Sequence, residues 1–129
     1  MRGGEMATRR SDSTEIAYVA GLFDGEGDCR IQPYRATKNG ARYLRVVARI
    51  HNTDRRCLDK VKEIFGYGWV GLSYRAGAHK RALRDCYQFV VTNTTAQSFL
   101  LALRPFLVVK AEKVDEILSS RNAGREIAA

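Results

Sequence analysis

The chain has 129 residues, a length that favours a single compact domain. Its 22 lysines and arginines against 14 acidic residues give a formal net charge of +8. That excess favours a polyanionic partner, with nucleic acid ahead of an anionic membrane surface, over a basic protein whose charges are merely solvated.

The sequence gives no sign of export or of a membrane anchor. No segment approaches the roughly 20 apolar residues of a membrane span, and residues 1–13 lack the apolar core of a signal peptide. The three cysteines form no CxxC pair, so neither a disulfide framework nor a zinc site is expected. We expect an intracellular protein, in a bacterial or archaeal cytoplasm or in an organelle, that does not bind membranes.

The composition divides the chain into a polar arm (residues 1–12), a folded domain (13–121) and a tail (122–129). The domain opens with a predicted helix that Ser13 or Thr14 caps and that stops at the glycines Gly25 and Gly27. Helical spacing relates the apolar residues of its buried face, which are Ile16, Val19, Ala20 and Phe23.

Two predicted hairpins and further helices follow. Residues 28–36 and 42–52 alternate apolar and polar positions around a turn at Lys38-Asn39-Gly40, and residues 69–76 and 83–92 form a second pair around a basic loop. One-sided antiparallel sheets alternate in this way. The polar face is predicted to present Arg30, Gln32, Tyr34, Arg45, Arg49, Trp69, Ser73, Arg75, Arg84 and Gln88.

The second helix begins after the hairpin, capped by Thr53 or Asp54, and ends at Gly66. A third helix spans 93–106 and closes at Pro105, and a fourth spans 108–121. Its predicted apolar stripe is Val109, Val114, Ile117 and Leu118. The order predicts an α+β fold, αββαββα, with a four-stranded antiparallel sheet and helices on one of its faces.

The first helix carries small residues in the spacing AxxxGxxxG, at Ala17, Gly21 and Gly25. Each glycine costs an isolated helix about 1 kcal/mol relative to alanine, and such spacing lets two helix backbones approach closely. Either a second helix packs on this face, or the helix simply lies close under its own sheet.

Two acids stand at the end of this helix, Asp24 and Glu26, where the helix dipole disfavours negative charge. A divalent cation would reverse that balance, and carboxylate and carbonyl oxygens are the ligands that Mg²⁺ prefers. An EF-hand loop is a poor alternative, because Cys29 and Arg35 stand where its glycine and closing glutamate belong. A plain helix C-terminus is the other interpretation.

Residues 19–27, VAGLFDGEG, resemble the LAGLIDADG motif of homing endonucleases at six of nine positions, with Glu26 counted as a conservative replacement. The segments NTDRRCLDKVKEIFGYGWV and RPFLVVKAEKV also resemble segments of that family, as does the order of elements. The resemblance covers most of residues 14–120. It implies a saddle-like sheet and a homodimer formed through the first helix, by Ala17, Gly21, Leu22 and Gly25.

The resemblance also implies roles for individual residues. Glu26 matches the metal-binding acid, with the Gly25 carbonyl as a further ligand, and Asp24 matches the earlier, structural acid. Lys110 matches a basic residue near the cleavage site, although it and the arginines are also explained as solvated surface. His51 or Asn52 falls where a polar residue positions water, and Arg55 or Arg56 where a basic residue approaches phosphate.

The function implied is hydrolysis of both strands of a long, near-palindromic DNA target, leaving 3′ overhangs. Mg²⁺ is the expected cofactor, with Mn²⁺ as a substitute and Ca²⁺ binding without supporting cleavage. The open sheet face would enter the major groove, where arginine reads guanine and glutamine reads adenine. The expected DNA-binding residues are Arg30, Gln32, Tyr34, Arg35, Lys38, Arg42, Arg45, Arg49, Trp69, Ser73, Arg75, Lys80, Arg84 and Gln88.

Two alternatives belong to other functional classes. One is a non-cutting DNA- or RNA-binding protein of the same fold, either an intron maturase or a regulator, and the presence of Glu26 argues against it. The other is a protein–protein module whose basic face binds an acidic partner. Against this second alternative, the arginines alternate along the strands in a manner that suits a nucleic-acid groove.

Overall fold

A computed structural model describes residues 12–35 and 40–120 of the protein. The predicted arm up to residue 11, the tail and Lys38-Asn39 of the hairpin turn lie outside the described residues. The elements in chain order are α1 (Ser13–Glu26), β1 (Gly27–Arg35), β2 (Arg42–Asn52), α2 (Arg55–Phe65), β3 (Trp69–Tyr74), β4 (Cys86–Thr92), α3 (Asn93–Leu103), a 3₁₀ turn (Arg104–Phe106) and α4 (Ala111–Ser119).

The four strands form one antiparallel sheet in the order β1-β2-β4-β3. The long strand β2 therefore pairs with β1 on one side and with β4 on the other, as in Ile50, which lies opposite both Gly27 and Phe89. The predicted α+β class, the four-stranded antiparallel sheet and the order of its elements are confirmed.

The core lies between the helices and one face of the sheet. Alternate positions of β2, Val46, Ala48 and Ile50, are buried in it, as period-two alternation requires. Phe99 of α3 occupies the centre, because its ring contacts those of Phe23, Phe65 and Phe89 at centroid distances of 6.0, 4.8 and 5.3 Å. The other sheet face is not covered by any helix of the described residues.

Helix α1 passes directly into β1, without a loop, at Gly27. A side chain here would collide with the Phe23 ring and with the Arg49 carbonyl oxygen, so only glycine lets the helix end pack this closely against β2. Helix α2 ends in a different way. Gly66 adopts the left-handed conformation at φ 79°, and its N–H donates to the Lys62 carbonyl at 2.7 Å.

The structure corrects the predicted start of α1 and decides between the two caps predicted for α2. Asp12, rather than Ser13 or Thr14, caps α1, because its carboxylate accepts the Glu15 N–H at 2.8 Å. Asp54 rather than Thr53 caps α2 by accepting from the Arg56 N–H at 3.0 Å.

The strands of the second hairpin are shorter than predicted. Arg75 and Arg84 lie in the loop between β3 and β4. Beside them the Asp85 carboxylate accepts a hydrogen bond from the Ala76 N–H at 2.8 Å, where a longer hairpin would have a backbone hydrogen bond between the strands. The register also shifts between Leu72 and Tyr74, leaving Ser73 without a residue directly opposite. Such β-bulges add a residue to one strand, and the sequence pattern does not reveal them.

The C-terminal helices also differ from the prediction. Helix α3 ends at Leu103, and Pro105 lies in the 3₁₀ turn that follows. Helix α4 begins only at Ala111, because the N–H groups of Val108 and Lys110 bind the Asp24 carboxylate. Of the predicted apolar stripe, Val114 and Ile117 are buried, whereas Val109 lies before the helix and is 75% exposed.

Among the described residues, no helix has the length and apolar character needed to cross a membrane.

The contacts of Phe99 lead to a test of the core. Replacing Phe99 by alanine leaves a cavity among three aromatic rings and is expected to lower the free energy of unfolding by about 3–5 kcal/mol. The control is Leu101→Ala on the same helix, where the side chain is 61% exposed and the expected loss is under about 0.5 kcal/mol. Urea unfolding measures both; equal losses would contradict this core.

Candidate functional site

The two faces of α1 have different surroundings. Val19, Ala20 and Phe23 are buried against the core, whereas Ala17, Gly21 and Gly25 are exposed and Leu22 is half-buried. A Cβ added to Gly21 or Gly25 would meet no atom of the described residues within 4 Å, apart from the adjacent residues and the backbone of α1 itself. Close packing under the chain's own sheet therefore does not explain the small residues.

Asp24 fixes the last turn of α1 to the segment before α4. Its carboxylate accepts the N–H of Val108 at 2.8 Å and of Lys110 at 3.0 Å, and the Lys110 ammonium donates to the Asp24 carbonyl at 2.7 Å. Burial on its own raises the pKa of Asp24, but the backbone hydrogen bonds from Val108, Lys110 and Val109, with the Lys110 charge, outweigh it and lower that pKa.

Glu26 is the last residue of α1, and it is exposed. It borders an open cleft of about 310 Å³ at the junction of α1, β2 and the β3–β4 hairpin. The cleft is lined by Glu26, His51, Asn52, Thr53, Tyr74 and Cys86. The structure thus brings Glu26 together with His51 and Asn52, the two residues that the sequence left as alternatives.

His51 and Asn52 differ in their hydrogen bonding. The Asn52 Oδ1 accepts the Asp54 N–H at 2.8 Å and so supports the start of α2. His51 lies opposite Gln88 of β4, on the open face. The imidazole can donate or accept a proton. The side-chain oxygen of Asn52, by contrast, already accepts a hydrogen bond from the backbone.

Arg55 and Arg56 do not line this cleft. Arg55 contacts Asp59 at 3.4 Å, and its guanidinium lies 5.9 Å from the Tyr87 ring centroid. Arg56 is held by Asp54 at 2.7 Å, and these hydrogen bonds from the guanidinium lower the pKa of Asp54 to about 2. Arg56 borders a different cleft, of about 580 Å³, beside Tyr18 and Leu22 on the exposed side of α1.

Lys110 also lies outside the cleft of Glu26. It borders a third cleft, of about 470 Å³, with Asp28, Cys29, Arg30, Val109 and Lys113. Its ammonium nevertheless binds the carbonyl of Asp24, two residues before Glu26. Burial raises the pKa of the Cys29 thiol in this cleft to about 11, so the thiol stays protonated at neutral pH.

The open face of the sheet carries many of the residues that the alternation predicts for it, together with apolar residues such as Val90. Asp28, Arg49 and Val90 lie opposite one another on three strands, and Trp69 completes the row on β3. Gln32 lies opposite Arg45, and Gln88 lies opposite His51 and Gly71. Arg35, Arg42 and Lys80 are exposed at strand ends or in the β3–β4 loop, and Lys38 lies outside the described residues.

Sequence reasoning missed three residues of the Glu26 cleft: Thr53, which it considered only as a helix cap, and Tyr74 and Cys86 of the second hairpin. The register shift after Leu72 places the last two opposite each other, and the Tyr74 ring lies 4.8 Å from the His79 ring of the loop. The hydrogen bond to Cys86 raises the pKa of the Tyr74 hydroxyl. The pattern of apolar and polar positions carries no signal for a bulge, so the sequence could not place Tyr74 and Cys86.

The donor chemistry at Glu26 fits a hard cation, but one copy supplies few donors. Carboxylate oxygen and the backbone carbonyls at a helix end suit Mg²⁺. The described residues contain no group of three His, Cys, Asp or Glu side chains that could hold an ion.

No protein-family model and no curated protein matches the chain. Solved structures do match. The homing endonuclease I-CvuI, solved with its target in the presence of 2 mM Ca, aligns at a TM-score of 0.64 and 22% identity, over 81% of this chain and 64% of that one. The archaeal intron-encoded homing endonuclease I-Vdi141I, complexed with DNA, aligns at a TM-score of 0.57 and 21% identity. That alignment covers 78% of this chain and 62% of the other.

A third match is the group I intron-encoded homing endonuclease I-CeuI, complexed with DNA, at a TM-score of 0.60 and 14% identity over 84% of this chain and 52% of that one. Further matches, such as I-GzeII, are named LAGLIDADG homing endonucleases. The chain thus has the fold of these proteins while spanning less than two thirds of the length of those three. The likeness predicted from residues 19–27 is confirmed at the level of the fold.

The hydrogen bonds of Asp24 lead to a test by pH. Asp24→Asn loses the charge and one acceptor, and it is expected to lower the free energy of unfolding by about 1–3 kcal/mol at pH 7. Because the folded pKa of Asp24 lies below its ordinary value of 3.8, its contribution is complete above about that pH and is lost as the pH falls through the folded pKa.

Thermal unfolding of parent and variant from pH 7 down to pH 3 measures this loss. The difference in stability between the parent and Asp24→Asn should narrow below about pH 4, because Asp24 of the parent begins to lose its charge there. The control is Asp59→Asn, whose ion pair is exposed and contributes under about 1 kcal/mol. A difference that does not depend on pH would show that the Asp24 charge is not the source of the stability.

Proposed function

We propose that this chain, which has the LAGLIDADG homing-endonuclease fold, is a site-specific double-strand DNA endonuclease that acts as a homodimer. It would cut a long, near-palindromic target and leave 3′ overhangs. One observation carries the proposal: an exposed carboxylate, Glu26, ends the helix whose exposed face is made of small residues, at the border of a basic, uncovered sheet face.

The homodimer is supported by the environment of α1. Ala17, Gly21 and Gly25 leave a groove of exposed backbone, and Leu22 lies beside it half-buried. A second α1 packed there would gain backbone contact and cover Tyr18, which is 49% exposed. A two-fold axis between the helices would bring two Glu26 side chains together, and it would require a nearly palindromic target.

In such a dimer Glu26 of each copy, with the Gly25 carbonyl, would hold Mg²⁺. When bound, the metal supplies Lewis-acid stabilisation of the phosphate and a lowered pKa of bound water. We expect Mn²⁺ to replace it and Ca²⁺ to support binding alone.

His51 is the residue of the cleft best able to accept or relay a proton from water, and Asn52 holds the start of α2 beside it. Arg55 is the first residue of α2, and its positive charge would stabilise a nearby phosphate. Lys110 fixes the end of α1 through the Asp24 carbonyl, and it thereby positions Glu26.

The uncovered face is proposed to lie in the major groove. Arg45, Arg49, Gln32 and Gln88 are then the side chains that face base edges. Arg75, Lys80 and Arg84 project from the loop between β3 and β4, where contact with phosphates is the more natural role. The net charge of +8 supplies the long-range attraction to the duplex.

The test is cleavage of a randomised pool of DNA duplexes by the full chain. With Mg²⁺ the parent is expected to cut at near-palindromic sites with 3′ overhangs, and Glu26→Gln to lose at least about 100-fold in rate while keeping its affinity, because the amide cannot hold the metal. Glu116→Gln, an exposed acid on α4, is the matched control and should cut like the parent.

Two results would contradict the assignment. Cutting by Glu26→Gln at the parent rate would remove Glu26 from the site. If the parent binds selected duplexes without cutting any of them, the alternative of a non-cutting DNA-binding protein of the same fold is favoured. Such a protein would need only the sheet and the dimer to bind DNA.

A further inference from the structure

We propose that Arg45 reads one guanine in each half of the DNA target and that the ring of Tyr34 holds its guanidinium ready to do so. The inference rests on the proposed function, since it names a base recognised by the uncovered sheet face. Its basis is that the guanidinium carbon of Arg45 lies 5.1 Å from the centroid of the Tyr34 ring.

The pairing of β1 and β2 produces this contact. Tyr34 lies directly opposite Tyr43, and their rings are 5.7 Å apart, while Arg45 lies opposite Gln32. Arg45 is thus a diagonal neighbour of Tyr34 on the same face, within reach of a long side chain. A planar guanidinium stacks on an aromatic ring, so the side chain loses much of its rotamer freedom on folding and less on binding DNA.

No acidic side chain of the described residues pairs with Arg45, whose guanidinium contacts only the Tyr34 ring among them. Its Nε atom is buried and has no hydrogen-bond partner in the described part of the chain. Its neighbours Gln32, Tyr43 and Val47 on this face are uncharged, and the other diagonal neighbour, Arg30, is paired with Asp28 at 2.8 Å. By contrast, oxygen partners hold the guanidinium groups of Arg30, Arg35, Arg55, Arg56 and Arg104.

Guanine is the base that fits such a group. In the major groove it presents two acceptors, O6 and N7, side by side, and they match the two parallel N–H groups of a guanidinium. Arg45 lies within the paired strands β1 and β2 rather than in a loop. With the sheet in the major groove, a residue at this position would be nearer to base edges than to the phosphates that border the groove. Because Tyr34 limits the rotation of the guanidinium, we expect it to discriminate between bases rather than act as a mobile charge.

The experiment is sequencing of the duplexes that the full chain retains from a randomised pool, with Ca²⁺ and at fixed ionic strength. The parent should enrich a guanine at one symmetric position of each half-site. Arg45→Gln should lose that preference by roughly 5- to 150-fold at this position alone. Tyr34→Leu should weaken the same preference, whereas Tyr34→Phe, which keeps the ring, should retain it.

Lys62→Gln is the matched control, because it removes one positive charge from the exposed surface of α2 and should change no position. Circular dichroism checks that each variant is folded. If Arg45→Gln weakens binding to all sequences alike and lowers the salt slope by about one unit, Arg45 contacts phosphate and the inference is overturned.

An unchanged profile for Arg45→Gln overturns the inference too. In both of these cases the parent still selects a sequence, and the proposed function stands. A parent that selects no sequence overturns the proposed function, and with it this inference.

Discussion

The position of Glu26, the proposed metal ligand, depends on how the end of α1 is held. Negative charge at a helix C-terminus is unfavourable, yet Asp24 stands there because two backbone N–H groups, from Val108 and Lys110, bind its carboxylate. The Lys110 ammonium binds the main-chain oxygen of the same residue. These hydrogen bonds join residues more than 80 positions apart in the sequence. They therefore fix the last turn of α1 to the segment before α4.

Two consequences follow for Glu26. Gly27 lets the chain turn from helix to strand against the Phe23 ring and the Arg49 carbonyl, so Glu26 has no loop through which to move away from β2. The backbone N–H groups of Val108 and Lys110 occupy the Asp24 carboxylate, whereas Glu26 is the exposed acid in the cleft with His51. Of the two acids, Asp24 therefore holds the structure, and Glu26 is available to a ligand.

Much of this was predictable from sequence, because simple periodicities govern it. The buried faces of α1 and α2 follow helical spacing, and the alternation along β1 and β2 fixed which arginines share the open face. The small residues Ala17, Gly21 and Gly25 left two alternatives for their helix face, and only the structure shows that the core does not use it.

What the sequence could not supply depends on contacts between distant segments. The delay of α4 to Ala111 and the exposure of Val109 arise from Asp24, which no local pattern reveals. The bulge at Ser73 brings Tyr74 to the cleft, and Asp85 shortens β4. The same limit applies to the alternatives at Arg55 and Arg56, because only the fold shows that Asp54 holds Arg56.

The central claim is that the small-residue faces of two α1 helices meet, and disulfide trapping tests it most directly. Gly21→Cys places a thiol in the middle of that face, and Ser98→Cys places one on the exposed surface of α3 as the control. A disulfide needs Cα atoms within about 7 Å. Mild oxidation of the full chain should therefore join Gly21→Cys copies rapidly and nearly completely, while Ser98→Cys stays at the level of the parent. Equal, slow cross-linking of the two variants would contradict the pairing of the helices.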